Sequence, residues 1–590
     1  MQTMSIGLTR AVLAGLLACV LAIIGAPASA SERPNILIVI LDDIGFTDLG
    51  AYGSEISTPN MDALAARGAQ FTNFHVAPTC APTRAMLMTG ADSHRTGIPT
   101  LEHMVIPEYQ GQFGHEGELN TAVATIAEHL QAAGYQSFIT GKWHLGRSPT
   151  SLPAARGFDR SFILDSSGAD NWEHRTYLPH YTRAEWWEDF EPVLAFTHEH
   201  YSSEFLTDRL IGYLDEGDPD RPFLAVLSLQ ANHIPLQAPR EFTERYAGRY
   251  DAGWDALREE RRRAAIARGL VPENTELAEQ PPGLRDWEGL SRREREFAIA
   301  SREVAAGMLE AADHHVGRLI DWLDAQGQLE NTLVIVLSDN GPEYNRPTDN
   351  WAFGLWLAMQ GYSRDPENLG ERRTYAFIGP EWATASASPL SLFKFHAGEG
   401  GLRVPLIVAG PGVETRGLVS GFSFVTDIAP TLLDIAGARP LSGREPITGR
   451  SLLPVLTGQA DAVYGPDDVV GLEMSGMSAL WRGDWKLVRS MPPFGDEQWR
   501  LFNLASDPGE ARDLAGSEPE VLASMMDAYA AYEARVGVIP VPEGFNAAER
   551  IAALGWKAFF DQHGLMLAGI GLLFVMLMGG GVILVMRRQR

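Results

Sequence analysis

The sequence predicts an α/β fold in which a large, mostly parallel β-sheet is flanked by helices, followed by a smaller C-terminal antiparallel sheet with a helix. Continuous apolar runs rich in β-branched residues, such as 34–41 and 331–337, are typical of strands buried on both faces of a parallel sheet. Helical segments alternate with these runs, which indicates right-handed crossovers. From about Asp467 onward, short segments separated by turns indicate the antiparallel sheet.

Length and charge limit the possible organisation and function. A single core stops growing near ~250–300 residues, so a chain of 590 residues predicts more than one unit. The change in character places a large α/β domain at 31–440 and a small subdomain at 441–540. A formal net charge of -27 excludes nucleic-acid binding, which requires a basic surface.

Both ends of the chain carry targeting signals. Residues 1–30 contain Arg10, an apolar run and a small-residue cleavage site, the pattern of a secretory signal peptide. Residues 565–586 are uncharged and would span ~33 Å as a helix, enough for a bilayer core, after a juxtamembrane tether at 541–564. The arginines of the cytoplasmic tail 587–590 place the globular part outside. We therefore expect an exported, membrane-anchored protein with its catalytic domain on the periplasmic or extracellular side.

Polar residues follow the ends of the predicted parallel strands. The run 34–41 ends on two aspartates, 135–140 on a Gly-Lys-Trp-His sequence, 222–229 on Gln-Ala-Asn-His, and 331–337 on Ser-Asp-Asn-Gly. In such sheets, ligands bind outside the carboxyl ends of the strands. One edge of the sheet is therefore predicted to collect Asp42, Asp43, Lys142, His144, His233, Asp339 and Asn340.

The acidic members of this group predict a metal site. Asp42, Asp43, Asp339 and Asn340 offer only oxygen, which suits Ca²⁺ or Mg²⁺, and a site with several protein ligands plus a substrate oxygen favours Ca²⁺. The metal would also relieve the repulsion between the adjacent carboxylates. The alternative for Asp42-Asp43 is a helix cap followed by a solvated turn.

An acidic protein can still carry a locally basic site, which would suit an anionic ligand. The sequence offers this positive field through Arg84, Lys142, His144, His233 and Lys394.

The segment 78–90 is the central motif of the sequence. Pro82 suits the first turn of a helix, an apolar run continues it, and Gly90 can end it, so Cys80 is predicted to lie at a helix N-terminus. Cys19 falls within the predicted signal peptide, which leaves Cys80 as the one cysteine of the exported chain. An unpaired thiol in an exported protein requires an explanation.

Three stretches resemble the sulfatase family. Cys80-Ala-Pro82-Thr-Arg84 resembles the family's modification site, 134–146 is similar to its second motif, and 379–405 is similar to bacterial arylsulfatases. The resemblance covers nearly the whole globular part. It implies an alkaline phosphatase-like fold and hydrolysis of small-molecule sulfate esters. It also implies that a formylglycine-generating enzyme oxidises the cysteine to an aldehyde before folding, and that the hydrate of this aldehyde is the nucleophile.

The resemblance further implies a role for each residue of the group. One Ca²⁺ per chain would be bound by Asp42, Asp43, Cys80, Asp339 and Asn340. The helix N-terminus at residue 80 suits a group that carries a negatively charged sulfuryl ester.

The remaining side chains would act on the hydrate and the sulfate. Arg84 and Lys142 would hold the hydrate. Lys394 and His233 would bind the sulfate, with one of them protonating the leaving oxygen, and His144 would be the base that expels sulfate.

Two other functions fit the same sequence. Phosphonate monoester and phosphodiester hydrolases share the fold, metal and nucleophile motif. A non-catalytic, membrane-anchored binding protein would normally have lost one of the site residues, all of which are present here. The sequence leaves the natural alcohol open between aryl, alkyl, sugar and steroid. It contains no N-glycosylation sequon, which favours a bacterial source.

The segments 151–203 and 240–295 are expected to be long insertions. The first carries aromatic residues that could line a wall for an apolar substrate or could pack in the interior, namely Trp172, Tyr181, Trp186 and Trp187. The second is rich in Arg and Glu and is predicted to be a solvated helical segment.

Overall fold

A computed structural model describes residues 33–196, 201–547, 549–562 and 564. The predicted signal peptide 1–30, transmembrane helix 565–586 and tail 587–590 lie outside these residues. Within the described ranges, no helix has both the length and the apolar character needed to cross a bilayer.

The strands alternate with helices along most of the chain. The described strands are β1 (Asn35–Leu41), β2 (Ala69–Phe71), β3 (Phe74–His75), β4 (Gln136–Lys142), β5 (Arg160–Leu164), β6 (Trp186–Glu188), β7 (Glu191–Val193), β8 (Phe223–Ser228), β9 (Thr332–Ser338), β10 (Leu406–Ala409), β11 (Gly417–Val419), β12 (Ser423–Phe424), β13 (Val469–Met474), β14 (Met477–Arg482), β15 (Trp485–Arg489) and β16 (Trp499–Asn503). The described α-helices are Pro59–Arg67, Cys80–Thr89, Ser93–Thr96, Ile126–Ala132, Ser202–Asp215, Arg240–Thr243, Gly253–Ala267, Arg292–Ala325, Trp351–Met359, Gly379–Ala387, Glu399–Leu402, Ile428–Ala436, Leu453–Leu456 and Pro519–Val536.

The main sheet is parallel at its centre and mixed in direction towards its edges, where β11 pairs with β2 in parallel and the other pairs are antiparallel. Its order in the described chain is β11-β2-β10-β9-β1-β8-β4-β5-β6-β7. The five strands from β9 to β5 are parallel, and Ile38 of β1 lies between Val226 of β8 and Ile335 of β9. β1 is buried on both faces, as its continuous apolar sequence predicts.

The prediction of a mostly parallel sheet is correct for this centre, whereas the sheet as a whole is mixed. β10 runs antiparallel to β9 because it begins where β9 ends, with Leu406 opposite Leu337. An apolar run predicts a strand but carries no information on its direction. The predicted insertion 151–203 contributes β5, β6 and β7, of which the last two are antiparallel and extend the sheet.

Helices cover both faces of the main sheet. Ile36, Ile38 and Ile40 point towards one apolar layer, which includes the helices Cys80–Thr89 and Ile428–Ala436. The alternate β1 residues point to the other layer, which includes the helices Ser202–Asp215 and Arg292–Ala325. The period of two along β1 therefore divides the domain into two cores.

Capping residues set the starts of two helices. Thr125 and Glu128 form the predicted capping box of the helix Ile126–Ala132. The long helix begins at Arg292, before the predicted start at 298, because Ser291 and Glu294 form a second capping box. Its first turn is charged and lacks apolar periodicity, so the cap is the signal that could have found it.

The small C-terminal sheet is antiparallel, as predicted. Its order is β13-β14-β15-β16, and the helix Pro519–Val536 packs on one face. Leu480, Leu487 and Leu501 of the sheet meet Met525 and Tyr529 of the helix in one apolar cluster.

A buried ion-pair network joins this small sheet to the main domain. Lys486 of β15 places its Nζ 2.9 Å from Oε1 of Glu399 and 2.7 Å from Oε1 of Glu510. Glu399 also lies 2.9 Å from Nε2 of His75. Removing one partner from such a buried network leaves an unpaired charge, so the network favours one fixed arrangement of the two sheets.

The segment predicted as a tether contains a helix that packs on the main domain. Residues 549–562, with residue 548 undescribed between them and Ala547, are helical. Phe559 is 5% exposed, and Nε2 of Gln562 donates a hydrogen bond to the carbonyl oxygen of Pro179 at 2.9 Å. The rings of Trp556 and Trp351 meet edge to face with centroids 5.5 Å apart. We call residues 549–562 the cover helix.

Candidate active site

The predicted site residues lie together at the carboxyl edge of the main sheet. Because β9, β1, β8 and β4 are adjacent and parallel, the residues that follow them meet at this edge. Every predicted site residue is buried: Asp42, Asp43, Cys80, Arg84, Lys142, His144, His233, Asp339, Asn340 and Lys394. Burial of Asp42 and Asp43 rules out the solvated turn that the sequence left open.

The helix Cys80–Thr89 begins at the cysteine and ends at Gly90, as the motif predicts. Gly90 has a φ of 68°, and its N–H donates to the carbonyl oxygen of Met86 at 2.7 Å. Sγ of Cys80 lies 3.7 Å from Oδ1 of Asp42. Burial raises the pKa of the Cys80 thiol to about 12, despite the nearby ammonium groups of Lys142 and Lys394. The unmodified residue is therefore a neutral thiol and a weak nucleophile.

Three cations neutralise the three aspartates. The pairs are Lys142 with Asp42 at 2.7 Å, Arg84 with Asp339 at 2.7 Å, and Lys394 with Asp43 at 2.8 Å. The sequence prediction assigned relief of the carboxylate repulsion to a metal. In the structure, these cations provide part of that relief.

Glu343 is a site residue that the sequence analysis missed. Its Oε2 lies 3.0 Å from Nζ of Lys394, so four carboxylates face three cations. Burial raises the pKa of Asp43 to about 8, and its neighbours Asp42 and Glu343 add to this shift although Lys394 opposes it. The only sequence signal for Glu343 is its place in the loop after β9, three residues beyond Asn340. The excess of carboxylates indicates a site that accepts further positive charge.

The predicted metal ligands fit a divalent cation. Sγ of Cys80 and one oxygen each of Asp42, Asp43 and Asp339 all lie within 4.8 Å of one another. Asn340 donates from Nδ2 to Asp43 at 2.6 Å, while its buried Oδ1 has no hydrogen-bond partner among the described residues. A buried amide oxygen without a donor is costly unless a cation binds it. The set is rich in oxygen, and Sγ stands where an oxygen of a modified residue 80 would be.

The two histidines are neutral in this environment. Burial, together with Lys142, holds the pKa of both His144 and His233 well below its usual range. The positive charge of the site therefore comes from Arg84, Lys142 and Lys394 rather than from the histidines.

The hydrogen bonds of the two histidines differ. Nδ1 of His233 lies 2.7 Å from the carbonyl oxygen of Ile234, and because a carbonyl only accepts, Nδ1 carries the hydrogen. Nε2 of His233 lies 4.0 Å from Oδ2 of Asp43. Neither ring nitrogen of His144 has a hydrogen-bond partner in the described parts of the chain. His144 also has a left-handed backbone with φ of 58°, a strained conformation that recurs at functional sites.

A cleft of about 330 Å³ reaches the site. Cys80, His233 and Lys394 line its buried floor, and Tyr177 and Trp356 belong to its aromatic walls. His144 lines a separate cleft.

The aromatic residues that the sequence offered as a possible wall take the alternative role. Each belongs to or packs against an interior apolar cluster, and none lines the cleft: Trp172, Tyr181, Trp186 and Trp187.

Comparisons with known proteins identify the family. The Sulfatase family model matches residues 34–438. An uncharacterised sulfatase of Schizosaccharomyces pombe is 36% identical over 539 residues, covering 88% of this chain and 96% of that protein. An arylsulfatase of Klebsiella aerogenes is 29% identical over 457 residues, covering 74% and 94% respectively. The crystal structure of Ps i-CgsB in complex with k-i-k-neocarrahexaose has the same fold, with a TM-score of 0.61, 22% identity and coverage of 90% and 99%. The chain belongs to the sulfatase family and is a sulfuric ester hydrolase.

Proposed function

We propose that this sulfatase hydrolyses organic sulfate monoesters in the manner of an arylsulfatase, with one bound Ca²⁺ and with Cys80 converted to formylglycine. The observation that carries the proposal is the position of Cys80, which lies among three carboxylates at the floor of the cleft that Lys394 also lines. The similarity to an arylsulfatase of Klebsiella aerogenes supports the same reaction class.

Formylglycine at residue 80 and bound Ca²⁺ would supply chemistry that the unmodified chain lacks. The formylglycine hydrate offers one hydroxyl as a nucleophile towards sulfur and a second hydroxyl whose deprotonation permits release of sulfate. Ca²⁺, held by Asp42, Asp43, Asp339, Asn340 and residue 80, supplies Lewis acidity and positive charge.

Lys394 is the better placed donor for the leaving oxygen. Its ammonium lines the cleft and carries three N–H donors, and its Nζ lies 2.8 and 2.9 Å from the two carboxylate oxygens of Asp43 and 3.0 Å from Oε2 of Glu343. His233 carries its hydrogen on Nδ1 and presents a lone pair at Nε2. We therefore assign proton donation to Lys394 and orientation of the substrate to His233.

Arg84 and Lys142 hold residue 80 in place. Nη1 of Arg84 donates to the carbonyl oxygen of Lys142 at 2.7 Å and to Oγ of Ser228 at 2.6 Å, which fixes the guanidinium one turn along the helix from Cys80. Neither ring nitrogen of His144 has a partner among the described residues, and burial keeps this ring neutral, so we assign to it the acceptance of the proton whose loss releases sulfate.

A comparison of sulfate and phosphate esters tests this function. With a divalent cation, the four carboxylates and three cations give the cluster one net positive charge, which matches a singly charged sulfate monoester better than a doubly charged phosphate. We expect kcat/KM for 4-nitrophenyl sulfate to exceed that for 4-nitrophenyl phosphate at least about tenfold. Faster hydrolysis of phenylphosphonate monoesters or phosphodiesters would assign the chain to those hydrolases. Binding without turnover of any ester would indicate a non-catalytic protein.

We also propose that the chain is exported and anchored in the membrane by residues 565–586. A protein ending at Gly564 retains the cover helix and all site residues. We expect it to be soluble without detergent and to keep its activity within about twofold, since the deleted residues follow the folded domain. Fractionation of the full-length protein checks the anchor. Recovery of the mature full-length chain in the soluble fraction would contradict it.

A further inference from the structure

The cover helix forms part of the same cleft that reaches Cys80. Ile551, Trp556 and Phe559 line this cleft together with Cys80 and Lys394. The cover helix is far from Cys80 and Lys394 along the chain, yet all of these residues line one cavity. The cover helix therefore contacts whatever part of a substrate extends away from the sulfate.

The cover helix presents an apolar surface to the cleft and is held firmly to the main domain. Phe559 belongs to a buried aromatic cluster with Tyr177, Phe353 and Trp356, three further residues that line the cleft. The guanidinium of Arg550 donates to the carbonyl oxygen of Val105, and Gln562 anchors the other end of the helix. The side chains facing the substrate are thus held in place before binding.

Among the polar side chains that also line the cleft, four buried atoms have no hydrogen-bond partner in the described chain, namely Nδ1 of His103, Nε2 of His180, Nε2 of His396 and Nε1 of Trp356, whereas others are already paired. Arg346 lies 3.2 Å from Oε1 of Glu381, and Nδ2 of Asn345 donates to Oε1 of Glu343 at 2.7 Å. Charged groups concentrate at the floor around Lys394. A sugar would place several hydroxyls against Phe353, Ile551 and Phe559, whose side chains carry no polar atom, and each unpaired polar group opposes binding.

We propose that the natural substrate is the sulfate monoester of an apolar alcohol, of long-chain or polycyclic form, and that the cover helix selects it. The inference rests on the proposed sulfatase reaction and deepens it. The sulfate would meet Lys394 at the floor, while the apolar part would lie against Trp556 and Phe559. The predicted membrane segment begins three residues after Gln562. An amphiphilic substrate that partitions into the membrane would therefore be close to the cleft.

A series of alkyl sulfates tests the proposal on the full-length protein. Ethyl, butyl, hexyl and octyl sulfate are supplied below their micelle concentrations, with glucose 6-sulfate as the polar comparison, and released sulfate is measured. We expect kcat/KM to rise about three- to fourfold for each methylene buried. A flat series, or faster hydrolysis of glucose 6-sulfate than of octyl sulfate, would overturn the proposal.

Variants of the cover helix test whether this helix is the source of the selectivity for long alkyl chains. We expect Trp556→Ala to lower the ratio of kcat/KM for octyl over ethyl sulfate about tenfold, and Phe559→Ala to act in the same direction. The control is Lys557→Ala, because Lys557 is exposed on the same helix, pairs with Asp561 and does not line the cleft. It should leave the ratio within twofold.

The outcomes separate this proposal from the reaction itself. Equal ratios in Trp556→Ala and Lys557→Ala would show that the cover helix does not contact the substrate, and they would leave the proposed sulfatase reaction unaffected. If the variants fail to fold, the chain-length series on the unmodified protein decides. Absence of turnover for 4-nitrophenyl sulfate and every alkyl sulfate would instead overturn the proposed function, and this inference with it.

Discussion

Cys80→Ala should lower kcat for sulfate-ester hydrolysis on the order of 10⁴-fold or more, because it removes the group that becomes the nucleophile. A thiol at this position cannot replace the aldehyde hydrate. Its raised pKa keeps it protonated, since burial disfavours the thiolate. A thiolate that did attack sulfur would give a thiosulfate-type adduct with no internal route to release. The hydrate has that route through its second hydroxyl.

The same reasoning predicts the chemical state of active protein. Mass spectrometry of the peptide containing residues 80–84 should show the aldehyde, and a hydrazide should label it. Cys80 is the one cysteine outside the predicted signal peptide, so a thiol titration of fully active mature protein should find none. Protein made without a modifying enzyme should carry one thiol and be nearly inactive. Fully active protein with only unmodified thiol would refute the mechanism.

Folding of the variant is the necessary control. Cys80 is 1% exposed, and removing one sulfur atom from this position leaves a small cavity. We expect a loss of stability of about 1–2 kcal/mol. Thermal unfolding and Ca²⁺ binding of Cys80→Ala should therefore remain measurable, with weaker Ca²⁺ binding because one ligand is absent.

Removing Ca²⁺ by chelation should lower turnover on the order of 10³-fold or more, and adding Ca²⁺ should restore it. Without a divalent cation, the site loses two positive charges, and because burial raises the pKa of Asp43 to about 8, the other carboxylates and the three cations leave no net positive charge to attract a sulfate anion. Activity measured before chelation, after it, and after return of Ca²⁺ or Mg²⁺ checks this. We expect Mg²⁺ to restore less, because it demands a smaller octahedral site.

Asn340→Ala provides a matched variant for the metal. It removes the buried oxygen that has no donor among the described residues, while the three aspartates and their cations stay in place. The Ca²⁺ concentration that gives half-maximal activity should rise about 10–100-fold. Full turnover by extensively chelated enzyme would show that the metal assignment is wrong.

The sequence could predict which residues meet, because the apolar runs show where the strands end. Asp42 and Asp339 each follow an apolar run, and the parallel arrangement of β1 and β9 brings both to one edge. Cys80 and Arg84 belong to a short motif whose helix begins and ends where Pro82 and Gly90 predict. These features depend on local chemistry and one rule of sheet topology.

Ion pairs and packing contacts between residues far apart in the sequence could not be predicted from it. Lys394 and Asp43 are 351 residues apart, and no local pattern indicates that this lysine neutralises this aspartate. Glu343 looks like an ordinary loop residue until Lys394 is placed beside it. The direction of β10 and the docking of the cover helix also depend on tertiary packing rather than on periodicity. Sequence therefore predicts which groups lie together better than it predicts the charge balance around them.

Under the proposed conversion of Cys80 to formylglycine, the junction formed by Lys486 with Glu399 and Glu510 bears on when that conversion can take place. In the folded chain Cys80, Pro82 and Arg84 are all buried within a helix, so an enzyme that reads this motif must meet it in an unfolded chain. Glu510 follows Cys80 by 430 residues, and the junction cannot close until it has been synthesised. At 5–20 residues per second this interval is roughly 20–90 s. The yield of active enzyme would then depend on the rate of Cys80 oxidation relative to the rate at which the rest of the chain is synthesised. Slower translation would therefore favour maturation.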